Sequence, residues 1–222
     1  MTDVASSRPF VVAIDGPAAA GKGTLALRLA EALGLPHLDT GLLYRAIGKL
    51  MAERGFDLDD AALATQFAEA LDPEDLKRGD LRGREAGELA SKVAVHPGVR
   101  AALVDFQRTF AARAPGAVLD GRDIGTVICP DADVKIFVTA SPEVRARRRT
   151  DELLAKGRDV RYEAILAETR ERDERDSNRA VAPLKPAADA VVLDTSALDR
   201  DGAFAAATAI VEKKREATSK GA

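Results

Sequence analysis

The chain has 222 residues, of which 46% are hydrophobic and 4% aromatic with no tryptophan, so it is long enough to form one domain with an aliphatic core. The net charge of −3 gives no indication of binding to long nucleic acid, although it does not exclude local basic clusters, and the apolar runs are shorter than the roughly 18 residues of a membrane span. The single Cys129 excludes an intramolecular disulfide, and the polar segment 1–8 predicts no signal peptide, so we expect a cytoplasmic protein.

Short apolar runs alternate along the chain with longer helical patterns. The predicted strands are residues 10–14, 37–38, 117–119, 134–138 and 191–193. The predicted helices are residues 22–33, 41–53, 61–70, 84–95, 98–114, 142–156, 162–175 and 199–217. Because continuous apolar strands that alternate with helices are typical of buried parallel sheets, we predict an α/β fold with a five-stranded parallel sheet flanked by helices.

A glycine-rich loop lies between the first predicted strand and the first predicted helix. Its residues are Gly16, Pro17, Ala18, Ala19, Ala20, Gly21, Lys22, Gly23 and Thr24. The glycines allow backbone N–H groups to turn toward phosphate oxygens, and the helix N-terminus and Lys22 add positive charge. The loop therefore predicts binding of a nucleoside triphosphate. Since Gly23 follows the lysine, where a Mg²⁺-binding hydroxyl usually stands, Thr24 is the candidate metal ligand, directly or through water.

The segment after the second strand carries a second group of candidates. Thr40 is expected to cap the following helix, and Tyr44 lies near it on the same helical face. Arg45 has a planar fork of donors that suits phosphate, although a lone arginine on a helix is more often a solvated charge.

Polar residues also follow the third strand, at the edge of a parallel sheet where ligands bind. Asp120 is placed to reach the hydration shell of a magnesium ion. Arg122 is a candidate phosphate ligand, and Asp123 is a candidate acceptor of hydrogen bonds from a base or a sugar.

Arginines are concentrated on two consecutive predicted helices. They are Arg145, Arg147, Arg148, Arg149, Arg170, Arg172, Arg175 and Arg179. Interleaved acidic residues allow a solvated, salt-bridged hairpin, but the same arginines also fit a lid over a transferring phosphoryl group. Spacings of four and three predict that Arg172, Asp176 and Arg179 share one helical face.

Taken together, these segments resemble the bacterial cytidylate kinases, a family of nucleoside monophosphate kinases, over roughly residues 10–215. The matching stretches are 13–17 and 21–24, 38–41 with 44–45, 120–126, 132–137, and 172–180. The segment 71–84 is shorter than the strand-containing insert that is typical of this family.

The resemblance implies a P-loop kinase that transfers the γ-phosphoryl group of ATP to CMP or dCMP with Mg²⁺. It implies three sets of site residues. The residues expected to contact the monophosphate and ribose are Thr40, Tyr44, Arg45 and Arg122. Those expected to contact the base, phosphate and pentose are Ser91, Arg100, Asp123 and Asp176. The expected catalytic residues are Lys22, Arg148, Arg172 and Arg179.

The whole chain, 1–222, is expected to be a single kinase domain and a monomer. Its core would comprise 9–56, 101–150 and 180–217, with a helical monophosphate-binding lobe at 57–100 and a short lid at about 150–165. Nucleotides are the expected partners, with neither long nucleic acid nor a membrane. The residues leave three alternatives open: a kinase for UMP or AMP, a kinase for another small metabolite, and a regulatory module that binds a nucleotide without transfer.

Overall fold

The computed structural model describes the backbone of residues 8–220 and the side chains of residues 8–216. The expected lack of a signal peptide rests on segment 1–8, and residues 1–7 of that segment lie outside the described residues. The predicted parallel sheet is confirmed, with the strand order β2-β3-β1-β4-β5. The strands are β1 (Phe10–Asp15), β2 (His37–Asp39), β3 (Gly116–Gly121), β4 (Val134–Thr139) and β5 (Val191–Asp194).

Within residues 8–220, eight α-helices flank and extend the sheet. They are α1 (Lys22–Leu33), α2 (Gly41–Glu53), α3 (Ala61–Glu69), α4 (Arg84–Val93), α5 (Pro97–Ala111), α6 (Pro142–Ala155), α7 (Tyr162–Ser177) and α8 (Arg200–Lys220). The start of α5 at Pro97, one residue before the predicted start, reflects the fit of proline to the first helical position. In this part of the chain no helix combines the length and apolar character needed to cross a lipid bilayer.

Both faces of the sheet are buried, which explains the continuous apolar strands. One face packs against α1 and α8 around Ile14, Leu29 and Ile136. The other face buries Leu119 and Ile124 in a second cluster. Because the parallel strands are in register, with Asp15 opposite Gly121 and Asp39 opposite Asp120, their polar carboxyl ends meet along one edge.

Helices α2 to α5 form a separate apolar cluster, which we call the helical lobe. Leu43, Ile47 and Val93 are among its buried members. The helices α2 and α4 approach closely at Gly48, where an added Cβ would lie 2.8 Å from the Cβ of Leu89. Any larger residue at this position would push the two helices apart.

The segment 71–84 is mostly exposed, as its charged sequence suggests, with the exception of Leu81. Two short 3-10 turns, Pro73–Lys77 and Gly79–Arg82, fill the segment. They bury Leu81 completely, and its carbonyl accepts a hydrogen bond from Arg45 (3.0 Å). Sequence patterning missed this contact because a single apolar residue among charged ones carries no periodic signal.

Helices α6 and α7 form an antiparallel hairpin, as predicted, with its tip at residues 156–161. Ala146, Leu153 and Ile165 are buried between the helices. The guanidinium of Arg147 lies over the ring of Tyr162, 4.2 Å from the centroid, and covers the start of α7.

Candidate active site

A cleft of about 410 Å³ opens where the strands end. The glycine-rich loop, the start of α2, α4, the segment after β3 and α7 form its walls. Cationic side chains line every wall, and they are Lys22, Arg45, Arg82, Arg84, Arg100, Arg122, Arg149, Arg172 and Arg179. This concentration of cations favours ligands that carry several negative charges.

The glycine-rich loop contributes one end of the cleft, where α1 begins. Its path needs glycine at Gly16, since a Cβ there would lie 1.9 Å from the carbonyl oxygen of Val138. Six of the nine predicted loop residues line the cleft, namely Ala18, Ala19, Gly21, Lys22, Gly23 and Thr24. The other three, Gly16, Pro17 and Ala20, are not among the lining residues and belong to the body of the loop.

Lys22 is the cation of this loop and is only 7% exposed. Its Nζ donates to the carbonyl oxygen of Pro17 at 3.2 Å. Burial, followed by the nearby charge of Arg122, lowers the pKa of Lys22 to about 7, against the opposing effect of Asp120 and Asp39. An ammonium group that has lost water and faces other cations is strongly stabilised by an added anion.

The start of α2 brings Thr40, Tyr44 and Arg45 to the cleft, as predicted. Thr40 occupies the N-cap position of α2, but its side chain makes no capping hydrogen bond, because the hydroxyl donates to the carbonyl oxygen of Asp120 (2.8 Å). Burial raises the pKa of the Tyr44 phenol to about 12. The guanidinium of Arg100 lies over the Tyr44 ring, 5.4 Å from its centroid. This part of the cleft wall therefore combines an aromatic ring with a positive charge.

After β3, the chain turns so that Asp120, Arg122 and Asp123 all line the cleft. Asp123 pairs with Arg100 from α5, and both side chains are buried. Sequence reasoning missed the residue that holds this turn, which is Asp15 at the end of β1. Its carboxylate accepts the N–H groups of Ile124 and Gly125, each at 2.7 Å.

The helix α4 contributes Ser91, which was predicted, and Glu88, which was not. Both are held from α7 by Arg175, whose Nε donates to the Ser91 hydroxyl at 2.9 Å and whose Nη2 lies 3.2 Å from a Glu88 oxygen. Arg84 and Glu168 form a further pair between the same two helices. Contacts of this kind link residues about 84 positions apart, and no local pattern indicates them.

The predicted group of Arg172, Asp176 and Arg179 meets in the cleft, but the single helical face is wrong. The helix α7 ends at Ser177, so Arg179 follows it in a turn and donates from Nε to the carbonyl oxygen of Asp176 (3.2 Å). The carboxylate of Asp176 is 3.0 Å from Nε of Arg122. Burial would raise the pKa of Asp176, but Arg122, Arg172 and Arg179 outweigh it and lower the pKa.

Two donors of this group have no protein partner. Among the described residues, Nε of Arg172 and Nη2 of Arg179 are buried side-chain nitrogens without a hydrogen bond. Burial, followed by the charge of Arg122, lowers the pKa of Arg172 to about 10, so its guanidinium still carries its charge at neutral pH. Buried donors are normally satisfied, so these two guanidinium groups keep hydrogen-bonding capacity that no described protein group uses.

The structure does not bring Arg148 to the cleft. Its guanidinium donates to the hydroxyl and carbonyl of Thr195 and to the carbonyl of Leu198, at 2.6 to 3.2 Å, behind the glycine-rich loop. The cleft is lined instead by the next residue, Arg149. On a helix, consecutive arginines point about 100° apart, and their order alone does not show which one faces the site.

The two candidate metal ligands, Thr24 and Asp120, both line the cleft. The Oδ2 atom of Asp120 would lie 3.8 Å from a Cβ at Gly23, so this carboxylate is beside the loop. Its other oxygen is 2.8 Å from Nε2 of His37. No group of three or more His, Cys, Asp or Glu side chains that would hold a metal occurs in the described part of the chain. The residues therefore fit a magnesium ion that phosphate oxygens and water hold for the most part.

Comparisons with known proteins agree with this geometry. The family model of cytidylate kinase matches residues 12–213. The cytidylate kinase of Paramagnetospirillum magneticum is 64% identical over 208 residues, which cover 92% of this chain and 99% of the relative. That of Xanthobacter autotrophicus is 63% identical over 206 residues, with coverages of 93% and 99%. A crystal structure of an uncharacterised protein from Eubacterium ventriosum shares the fold, with a TM-score of 0.54, 15% identity and coverages of 91% and 98%.

Proposed function

Since the chain belongs to the cytidylate kinase family, we propose how its cleft holds two nucleotides and moves a phosphoryl group between them. The protein is a kinase that transfers the γ-phosphoryl group of ATP to CMP or dCMP, giving ADP and CDP or dCDP. The observation that carries the assignment of roles is the pair of unpartnered buried nitrogens on Arg172 and Arg179 in the same cleft as Lys22.

The glycine-rich loop is the proposed site of the ATP phosphates. Backbone N–H groups of the loop and the N-terminus of α1 bind phosphate oxygens, and Lys22 places its charge on the same group. The hydrogen bond from Lys22 to Pro17 is replaced by one to phosphate. Because Lys22 is desolvated, this contact acts at a low local dielectric and is stronger than one in water.

Binding of ATP is expected to take up a proton at about pH 8. With a pKa of about 7, Lys22 is mostly neutral there before ATP binds, and the bound triphosphate returns its pKa toward the ordinary value of about 10.4. The uptake falls toward zero at about pH 6, where Lys22 is already charged. Calorimetry in buffers of different ionisation enthalpy measures the number of protons. The Lys22→Met variant serves as the control, and an equal uptake in both proteins would contradict the assignment.

The acceptor site is proposed on the opposite side of the cleft. Arg45, Arg122 and Arg172 bind the phosphate of CMP, and Tyr44 packs against the nucleotide. Ser91 and Arg100 of the helical lobe and Asp123 after β3 present hydroxyl, guanidinium and carboxylate groups to the cytosine edge. Asp176, fixed by Arg122, accepts hydrogen bonds from the pentose.

Transfer is proposed to be direct and in line, without a covalent intermediate. The acceptor phosphate is already an anion at neutral pH, so no residue has to remove a proton from it. Lys22, Arg172 and Arg179 instead stabilise the charge on the transferring group, and closure of the α6–α7 hairpin excludes water. Such fixed cations accelerate a reaction because they need no rearrangement as the charge develops.

Magnesium is proposed as the metal cofactor, held through water beside Thr24 and Asp120. When bound, Mg²⁺ neutralises charge on the β- and γ-phosphates. His37 fixes one oxygen of Asp120 and leaves Oδ2 toward the loop.

A coupled assay of ADP release, run with CMP, dCMP, UMP and AMP, tests the assignment of substrate. We expect turnover with CMP and dCMP to exceed that with UMP by at least about tenfold, because cytosine and uracil present opposite donor and acceptor groups at one edge. Preference for UMP or AMP would contradict the proposed base contacts. Absence of ADP release with every acceptor would favour the non-catalytic module.

We further propose that the protein acts as a cytoplasmic monomer, with α3 to the start of α5 (residues 57–100) as the monophosphate-binding lobe and residues 150–165 as the lid. In this arrangement, Arg175 of α7 meets Ser91 and Glu88 of α4 where the α6–α7 hairpin and the lobe face each other.

A further inference from the structure

Arg145 is the most completely bonded arginine near the cleft, and the roles above do not use it. It is 2% exposed. Its Nε donates to the carbonyl oxygen of Ala140 (2.8 Å), and its Nη1 donates to the carbonyl oxygen of Ala18 (3.2 Å). Nη1 and Nη2 also form a two-pronged pair with the carboxylate of Asp173. Because these bonds occupy most of its donors, Arg145 differs from Arg172 and Arg179, which have buried donors to spare.

The bond to Ala18 acts on the glycine-rich loop from behind. In a planar trans peptide, the C=O and the N–H point in opposite directions. A carbonyl of Ala18 that faces Arg145 therefore directs the N–H of Ala19 away from Arg145, toward the cleft that Ala19 lines. Ala19 has a positive φ of 59°, a conformation that costs free energy for a residue with a side chain and needs a contact to hold it.

The pair with Asp173 acts on the other wall of the cleft. Asp173 precedes the last turn of α7 and directly follows Arg172, so its carboxylate fixes the rotation of α7 at the residue that we assign to the phosphoryl group. One buried guanidinium thus joins the donor loop, α6 and α7.

We propose that Arg145 and Asp173 are a positioning pair, which sets the distance between the triphosphate loop and Arg172 and so the alignment for in-line transfer. This proposal rests on the proposed roles of the loop and of Arg172. Neither residue of the pair touches substrate. A displacement of about 1 Å between reacting groups costs up to about 100-fold in rate, so such a pair affects kcat although it lies outside the cleft.

The Asp173→Asn variant tests the proposal, because it keeps the shape of the side chain and removes the charge of the pair. We expect kcat to fall by about 10- to 100-fold. The KM for CMP should rise by a smaller factor than kcat falls, because only Arg172 and Asp176 would shift with α7, whereas Tyr44, Arg100 and Asp123 lie on other elements. The Arg145→Lys variant should likewise lose more in kcat than in the KM for CMP. The double variant should be no slower than the slower single variant, since each change breaks the Arg145–Asp173 pair.

The matched control is Glu143→Gln. Glu143 pairs with Arg170 at 2.7 Å between the same two helices, but the side chains are 50% and 60% exposed. We expect kcat within about twofold of the unmodified enzyme, since exposed pairs contribute little. Equal kcat values for Asp173→Asn and Glu143→Gln would overturn the proposal. So would a joint loss of CMP binding and thermal stability in Asp173→Asn, because that result indicates general structural damage.

The Arg172→Gln variant separates failure of this inference from failure of the proposed function. A large loss of kcat in Arg172→Gln together with an unchanged Asp173→Asn would overturn the positioning pair alone. An unchanged kcat in Arg172→Gln would overturn the role of Arg172 on which the pair depends.

Discussion

Replacement of Lys22 with methionine is expected to lower kcat by at least about 100-fold, the largest effect of any single change in the cleft. Methionine retains most of the length and apolar volume of the lysine stem, so α1 and the loop should keep their packing. The loss arises because a buried charge that interacts most strongly with the transition state is removed. Steady-state kinetics with saturating ATP and CMP measure the effect.

Lys213→Met is the matched control for this prediction. Lys213 is exposed on α8 and is not among the residues that line the cleft. Its replacement should leave kcat within about twofold of the starting value, as is usual for a surface substitution. A Lys22→Met enzyme that turns over at a near-normal rate would rule out the assigned role of the lysine.

Replacement of Arg179 with glutamine is expected to lower kcat/KM for CMP by about 100-fold. Arg179 is 8% exposed and its Nη2 has no hydrogen-bond partner among the described residues, which is consistent with the ligand contact proposed for it. The change also removes one of the three cations that lower the pKa of Asp176. Because Arg122 still pairs with that carboxylate, we expect the fold to persist, which a melting curve would verify.

Arg113→Gln provides the comparison, since Arg113 is exposed just after α5 and does not line the cleft. Its kcat/KM for CMP should remain within about twofold of the starting value. If both variants lost activity to the same extent, the effect of Arg179 would reflect the net charge of the protein and not a specific contact.

The sheet and the glycine-rich loop were predictable because both depend on local order. Strands that are buried on both faces must be continuously apolar, and the loop needs glycine where Val138 leaves no room for a side chain at Gly16. Strand β2 is only three residues long, yet it forms because each of its residues pairs with β3. Because β2 and β3 are parallel neighbours, the residues that follow them lie side by side at one edge of the sheet.

Other parts of the site were not predictable, since they depend on contacts between distant segments. The resemblance implies a catalytic role for Arg148, but only the packed structure shows that Arg148 faces Thr195 while Arg145 faces the loop. Asp15 directly follows the predicted strand 10–14, and the N–H groups that it accepts lie about 110 positions away. Burial also decides the pKa of Lys22, a property that a sequence pattern does not contain.

The distribution of aromatic residues gives the protein a built-in optical reporter. The chain has two tyrosines and no tryptophan. Tyr44 lies in the wall of the acceptor site, and Tyr162 begins the second helix of the hairpin beneath Arg147. Tyrosine fluorescence therefore reports on the two places where nucleotide binding and hairpin movement are proposed to occur. Each tyrosine exchanged singly for phenylalanine leaves one emitter, so the two events become separable in time without an attached dye.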